Sequence, residues 1–262
     1  MSHRTRTRRP TEADEESVAP ADTYWSMSKR PLEILLFLTP FIVLYEISLV
    51  SLLREDRGTI TNLAHELIIK FMGYFNQSNM LGLSLPALAV VLVLLIWHLL
   101  SRNPWTASMR VLLLMVVESV LLVIPLLVFA RLVHQYLPLA GSEAEIIRGL
   151  GPSELIAMSI GAGLYEELVF RMLVVFVLHT LVVDVLRFPN RVGLTVAVIV
   201  SAVLFTLYHP PMEAADGSRS LGRMTFYFTA GLWFGLLYVV RGFGIVVAVH
   251  AFYDMAILLD GD

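Results

Sequence analysis

IGAGLYEELVFRMLVVFVL, Ile160–Leu178, is a stretch of bilayer length whose only charges, Glu166, Glu167 and Arg171, stand in its middle. An ionisable residue inside a spanning helix costs roughly 2.5–3.5 kcal/mol on insertion scales and marks a functional site by default. The pattern repeats downstream. A second apolar run ends on Phe205-Thr206-Leu207-Tyr208-His209, and the last one, Phe243–Leu259, contains His250 and Asp254.

The composition agrees. Of 262 residues 57% are hydrophobic and 16% charged, and the mean hydropathy of +0.74 is too high for an ordinary soluble domain. An all-α, polytopic transmembrane helical bundle is expected, with the lipid bilayer as its surroundings. A formal charge of -3 and the lack of a basic patch interleaved with aromatics give no sign of a nucleic-acid partner. With no cysteine, disulfides, thiolate zinc sites and a Cys nucleophile are excluded, so any chemistry must come from Glu, Asp, His, Arg, Ser or Tyr.

Residues 1–30 run from a basic cluster (Arg4, Arg6, Arg8, Arg9) into an acidic one (Glu12, Asp14, Glu15, Glu16) and read as a disordered cytoplasmic tail. The first apolar run begins near Leu32, is long and lacks a small-residue cleavage pattern, so it reads as a span and not as a signal peptide. Residues 31–150 hold the N-terminal spans and 151–262 a separate core. Spans are expected near 32–53, 81–100, 109–133, 154–179, 192–209, 224–240 and 243–260, about seven in all. Residues 59–75 carry Leu63, Leu67, Ile68, Phe71 and Phe75 at helical spacing among His65, Glu66 and Lys70, as an interfacial or re-entrant amphipathic helix would. Leu137–Gly151, with Pro138, Gly141 and Gly149, reads as a connecting loop. The tail, Arg102 with Arg110, Arg187 with Arg191, and Arg241 fall on one side, which predicts a cytoplasmic N-terminus and an external C-terminus. Arg54, Arg57, Arg131, Arg148, Arg219 and Arg223 on the other side make that bias incomplete.

Glu167 and Arg171 stand at i,i+4 with the acid N-terminal, the better order for a pair. Glu166, about 100° away on an ideal α-helix, is expected to face another surface and to be free as a general base. A Glu–Arg pair that only locks packing is the plain alternative. His209 precedes Pro210 and Pro211, so its helix must end there, at a mouth near the membrane surface, with Phe205 one turn earlier on the same face. His250 and Asp254 also share a face, where the carboxylate fixes the imidazole tautomer or both approach a common atom. A structural pair joining two helices is the alternative there.

Glu-Glu-x-x-x-Arg, Phe-x-x-x-His and His-x-x-x-Asp, in that order over Ser153–Leu259, resemble the CAAX protease and bacteriocin-processing (Abi) family of intramembrane proteases. Asp254 stands where the eukaryotic prenyl-protein endopeptidases tend to have Asn, a variation to which the bacterial branch is similar, so their substrate class is not carried over. The resemblance implies an integral protein of the bacterial inner membrane that hydrolyses a peptide bond of a membrane-anchored protein or peptide. On this reading Glu166 and His209 hold and deprotonate a water, and His250 and Asp254 donate to the oxyanion or position that water. Glu167 and Arg171 brace the first motif or touch the substrate's carboxyl end, with Phe205 supporting. No cofactor is then required. A divalent metal such as zinc on Glu166, His209, His250 and Asp254 stays open, although no His-Glu-x-x-His helix is present. A non-catalytic bacteriocin-immunity or peptide-binding protein of the same fold is the main rival. A transporter is a weaker one, since paired repeats are not evident. Ala157, Gly161, Gly163, Gly231 and Gly235 are expected to let backbones approach. Glu46, Glu118, His98, His134 and His179 are given no role, and Tyr165 and Tyr208 read as interface aromatics.

Overall fold

The computed structural model describes residues 23–54, 79–136, 151–209 and 220–260. The amphipathic segment at 59–75, most of the loop before Gly151, the Pro210-Pro211 pair and residues 1–22 of the expected tail lie outside the described residues. Within them every regular element is a helix and there is no strand. A short α1 (Tyr24–Met27) leads into α2 (Pro31–Arg54), followed by α3 (Asn79–Ser101) and α4 (Met109–Tyr136). The C-terminal half consists of α5 (Pro152–Val185), α6 (Asn190–Tyr208), α7 (Leu221–Arg241) and α8 (Phe243–Asp260). Five of these, α2 and α4 to α7, are long and apolar enough to cross a membrane. Ala87–Ser101 of α3 and Phe243–Leu258 of α8 are shorter apolar stretches. The all-α bundle and its seven apolar helices are those expected.

Apolar residues cover both faces of the outer helices. On α4, Val111, Met115, Ser119, Val123, Leu126, Ala130 and Val133 recur every three or four residues and are buried. Leu113, Val117, Leu121, Ile124 and Val128 occupy the other side and are exposed. A helix that is apolar all round, with half of it bare, is one whose outer face is meant for lipid.

α8 is the axis of the molecule. Ile245–Val249 and Ala251 are fully buried, and the helix packs against α4, α5, α7 and α2. An apolar helix built from Gly, Ala, Val and Ile tolerates neighbours on every side, which is how His250 comes to lie in the interior at 4% exposure. The close approach of α5 depends on Gly163: a Cβ there would stand 2.7 Å from the Val247 carbonyl oxygen and 3.0 Å from the Ala251 backbone nitrogen.

α5 is not a uniform α-helix. It is wound as π-helix over Ala162–Glu166, Leu168–Val174 and Thr180–Val185, and at its end the Leu186 N–H donates to the Leu181 carbonyl, an i→i+5 bond of 2.9 Å. π turns are rare and concentrate at functional sites. Their wider winding slightly reduces the angle between neighbouring residues.

The far end of the bundle is tied by a polar cluster. Arg241, the last residue of α7, donates from Nε and Nη2 to Glu118 of α4 and from Nη2 to Ser28 Oγ (3.1 Å). The Tyr24 hydroxyl donates to the same carboxylate, and the guanidinium lies 3.9 Å over the Trp25 ring. Thr23–Arg30, the end of the segment read as tail, is thus bound to α4 and α7 instead of being free. Glu118, which the sequence left without a role, is the acid of this cluster.

Candidate active site

Three helices deliver the polar residues. Glu166 and Arg171 come from the two π-wound segments of α5 and Glu167 from the residue that joins them, and all three are buried. His209 caps α6, which stops at Tyr208. Its extended backbone (φ -83°, ψ 101°) is that of a residue before proline. His250 and Asp254 come from successive turns of α8.

His250 is the junction. Its Nδ1–H donates to Glu167 Oε1 at 2.7 Å, while Nε2 stands 3.5 Å from Asp254 Oδ2 and 4.0 Å from Glu166 Oε2. Glu166 and Glu167 thus stand beside one imidazole, Glu167 bonded at Nδ1 and Glu166 4.0 Å from Nε2. Glu166 lies outside the Glu167–Arg171 pair and nearer to His209. The pair itself is present, Arg171 Nη1 to Glu167 Oε1 at 3.0 Å, with neither side chain exposed.

Glu166 Oε2 also faces His209 Nε2 at 3.6 Å, beyond direct hydrogen-bond range. The His209 ring is oriented by its other nitrogen: Nδ1–H donates to the Phe205 carbonyl at 2.8 Å, which leaves Nε2 as the acceptor in the neutral ring. A carboxylate oxygen and a bare imidazole nitrogen thus confront each other. Such a pair of acceptors is suited to hold a water that donates a hydrogen to each. His209 lies nearer the surface, its side chain 17% exposed against 6% for Glu166.

Phe205 packs on His209 with ring centroids 4.5 Å apart, as the Phe-x-x-x-His spacing predicts. It also carries the Arg171 guanidinium 4.3 Å over its face, while Arg171 Nη2 donates to the Gly231 carbonyl at 3.3 Å. Enclosed by Glu167, Phe205, Phe234 and the α7 backbone, Arg171 braces α5 against α7. Nearby, Ser201 Oγ donates to the Phe170 carbonyl at 2.7 Å, joining α6 to α5 where π winding frees a backbone acceptor.

Residues 149–256 match the family of type II CAAX prenyl endopeptidase Rce1-like proteins. All seven motif residues, from Glu166 to Asp254, lie inside that segment, so the resemblance stated from the three motifs is found again over the same part of the chain. No curated protein matches the chain, and no solved structure matches it. The Rce1-like match supports a protease embedded in the membrane.

The metal alternative can be tested against the donors. Four ligands at zinc-like bonds of about 2.0–2.1 Å lie roughly 3.3 Å from one another. Here Glu166–His209, Glu166–His250 and His250–Asp254 stand 3.6, 4.0 and 3.5 Å apart, wider than that. Among the described residues no group of three or more His, Asp or Glu side chains is arranged to hold a metal ion. The chemistry proposed below is carried by the side chains alone.

Two aromatic residues of α7 belong to the site and were not singled out from sequence. Tyr227 is stacked on His209 and Phe234 on His250. In an apolar helix an aromatic at this spacing looks like any core residue, so no sequence signal separates them.

Proposed function

We propose that this protein is an intramembrane endopeptidase in which Glu166 is the general base for water. The reading rests on one observation above others: Glu166 Oε2 and the bare Nε2 of His209, from different helices, face each other at 3.6 Å in the interior of an apolar helix bundle. A water held between them gives its proton to Glu166 as its oxygen attacks the scissile carbonyl carbon. The C=O π bond opens to an oxyanion, which takes a hydrogen bond from Nε2–H of His250 in its imidazolium form, a doubly protonated ring held by Glu167 at Nδ1 and faced by Asp254 near Nε2. The proton on Glu166 then passes to the leaving amine as the C–N bond breaks, and the carboxylate is restored. Arg171 and Phe205 hold the frame.

The substrate is a membrane-associated protein or peptide. With the N-terminus cytoplasmic, the helix directions put His209 and the start of α7 towards the outer side, so an anchored tail or signal remnant exposed there is the substrate class favoured.

The test is a library of lipid-anchored, internally quenched peptides in proteoliposomes, with new termini read by mass spectrometry. Wild-type protein cleaves a subset. Glu166→Gln accumulates in the membrane, folds as judged by its thermal unfolding, and cleaves none. Full activity of this variant removes Glu166 from the role of base. Wild-type capture of uncut peptides would identify a binding protein instead. Loss of cleavage in a chelator, restored by zinc alone, would replace the Glu–His-held water with a metal-held one.

A further inference from the structure

We infer that Tyr227 and Phe234 are positioning residues that set the ring planes of both imidazoles. The inference rests on the reading that His209 and His250 serve one reaction centre, and adds to it the device that aligns them.

Tyr227 lies parallel to His209, with centroids 4.1 Å apart and planes 19° from parallel. Phe234 lies parallel to His250 at 4.6 Å and 15°. The two aromatics are seven residues apart on α7, two turns, and so share a face. The two histidines come from different helices, α6 and α8. One helix face therefore carries a flat surface for each imidazole, and the distance between those surfaces is set by the rise of α7.

Each imidazole has one nitrogen tied by a hydrogen bond, His209 to the Phe205 carbonyl and His250 to Glu167. A single such bond fixes one ring edge and leaves the ring free to tilt about it. A parallel aromatic face removes that tilt and aims both Nε2 atoms at Glu166 Oε2, 3.6 and 4.0 Å away. Phe205 closes the arrangement from the other side, with centroids 6.4 Å from Tyr227 and 6.2 Å from Phe234.

α7 is itself held midway between the two stacks. Gly231 stands between Tyr227 and Phe234 in sequence, and a Cβ there would lie 2.9 Å from Ala202 Cα, so α6 and α7 touch at backbone distance. Its carbonyl accepts from Arg171. The Glu-Glu-x-x-x-Arg motif thus anchors the helix that carries both stacking rings, which joins the motifs through residues that none of them includes.

The test uses the library peptide cleaved fastest by the wild type. Tyr227→Phe keeps the ring and should hold kcat within about twofold. Tyr227→Leu should lower kcat about 10–100-fold with KM within about twofold, the cost of a misaligned catalytic group and not of lost substrate binding. Phe234→Leu should behave like Tyr227→Leu. Wild-type kcat in the Leu variants, or a Phe variant that falls as far as the Leu variant, overturns the inference. Should a Leu variant fail to fold, histidine ring protons in the wild-type protein decide: shielding by ring currents at both His209 and His250 supports the stacks, and unshifted resonances overturn them. Activity surviving in Glu166→Gln would instead defeat the general-base reading, a separate outcome.

Discussion

Replacing Arg171 by Met is the most severe stability test of this interior that leaves the proposed base in place. Arg171 and Glu167 meet at 3.0 Å with no exposure of either side chain, so removing the cation strands a carboxylate away from water. Breaking one partner of a buried pair costs about 3–5 kcal/mol. Glu167 keeps its 2.7 Å bond from His250, which argues for the lower end. At about 2–4 °C per kcal/mol for chains of this order of length, a loss of about 3 kcal/mol lowers the unfolding midpoint by roughly 6–12 °C. The assay is thermal unfolding in detergent micelles followed by tryptophan fluorescence. The companion variant carries Glu167→Gln as well: its amide oxygen still accepts from His250 Nδ1, and no unpaired charge remains. The double variant should recover at least half of the loss. A midpoint for Arg171→Met within about 2 °C of wild type, or a double variant as unstable as the sum of the singles, would refute the account of a buried charge pair.

Gly163→Ala puts a Cβ 2.7 Å from the Val247 carbonyl oxygen, so α5 and α8 must separate. A loss of about 1–3 kcal/mol in unfolding free energy is expected, together with a drop in peptide cleavage. Glu118→Gln removes the charge that Arg241 and Tyr24 share, and hydrogen exchange at Tyr24–Met27 should accelerate while the interior of α8 stays protected. Because the chain has no cysteine, single introduced ones report sidedness. Asn103→Cys should react with an impermeant maleimide only from the cytoplasmic side and Leu221→Cys only from the outer side, and the reverse pattern would invert the proposed orientation.

Much of the fold is legible in the chain itself because a membrane protein announces its helices by length and apolarity, and the five long spans and two shorter apolar helices lie where the hydropathy places them. The residues of the candidate site are legible for a related reason: charge inside lipid is costly, so Glu166, Glu167, Arg171, His250 and Asp254 stand out against Leu, Val and Phe. The end of α6 at His209 could be read from the prolines that follow.

What could not be read depends on contacts between helices. Glu166 and Glu167 are adjacent on one helix, and that both stand beside His250 is decided by where α8 packs against α5. Tyr227 and Phe234 are ordinary apolar positions until α7 is laid across α6 and α8. Glu118 and Arg241, far apart in sequence, acquire a meaning only when the end of α7 lies against the first half of α4. Hydropathy and cost of charge are properties of single residues against their surroundings, so one dimension records them. Ring planes, ion pairs and the approach of two imidazoles to one carboxylate are distances between residues remote in the chain, and packing alone decides those.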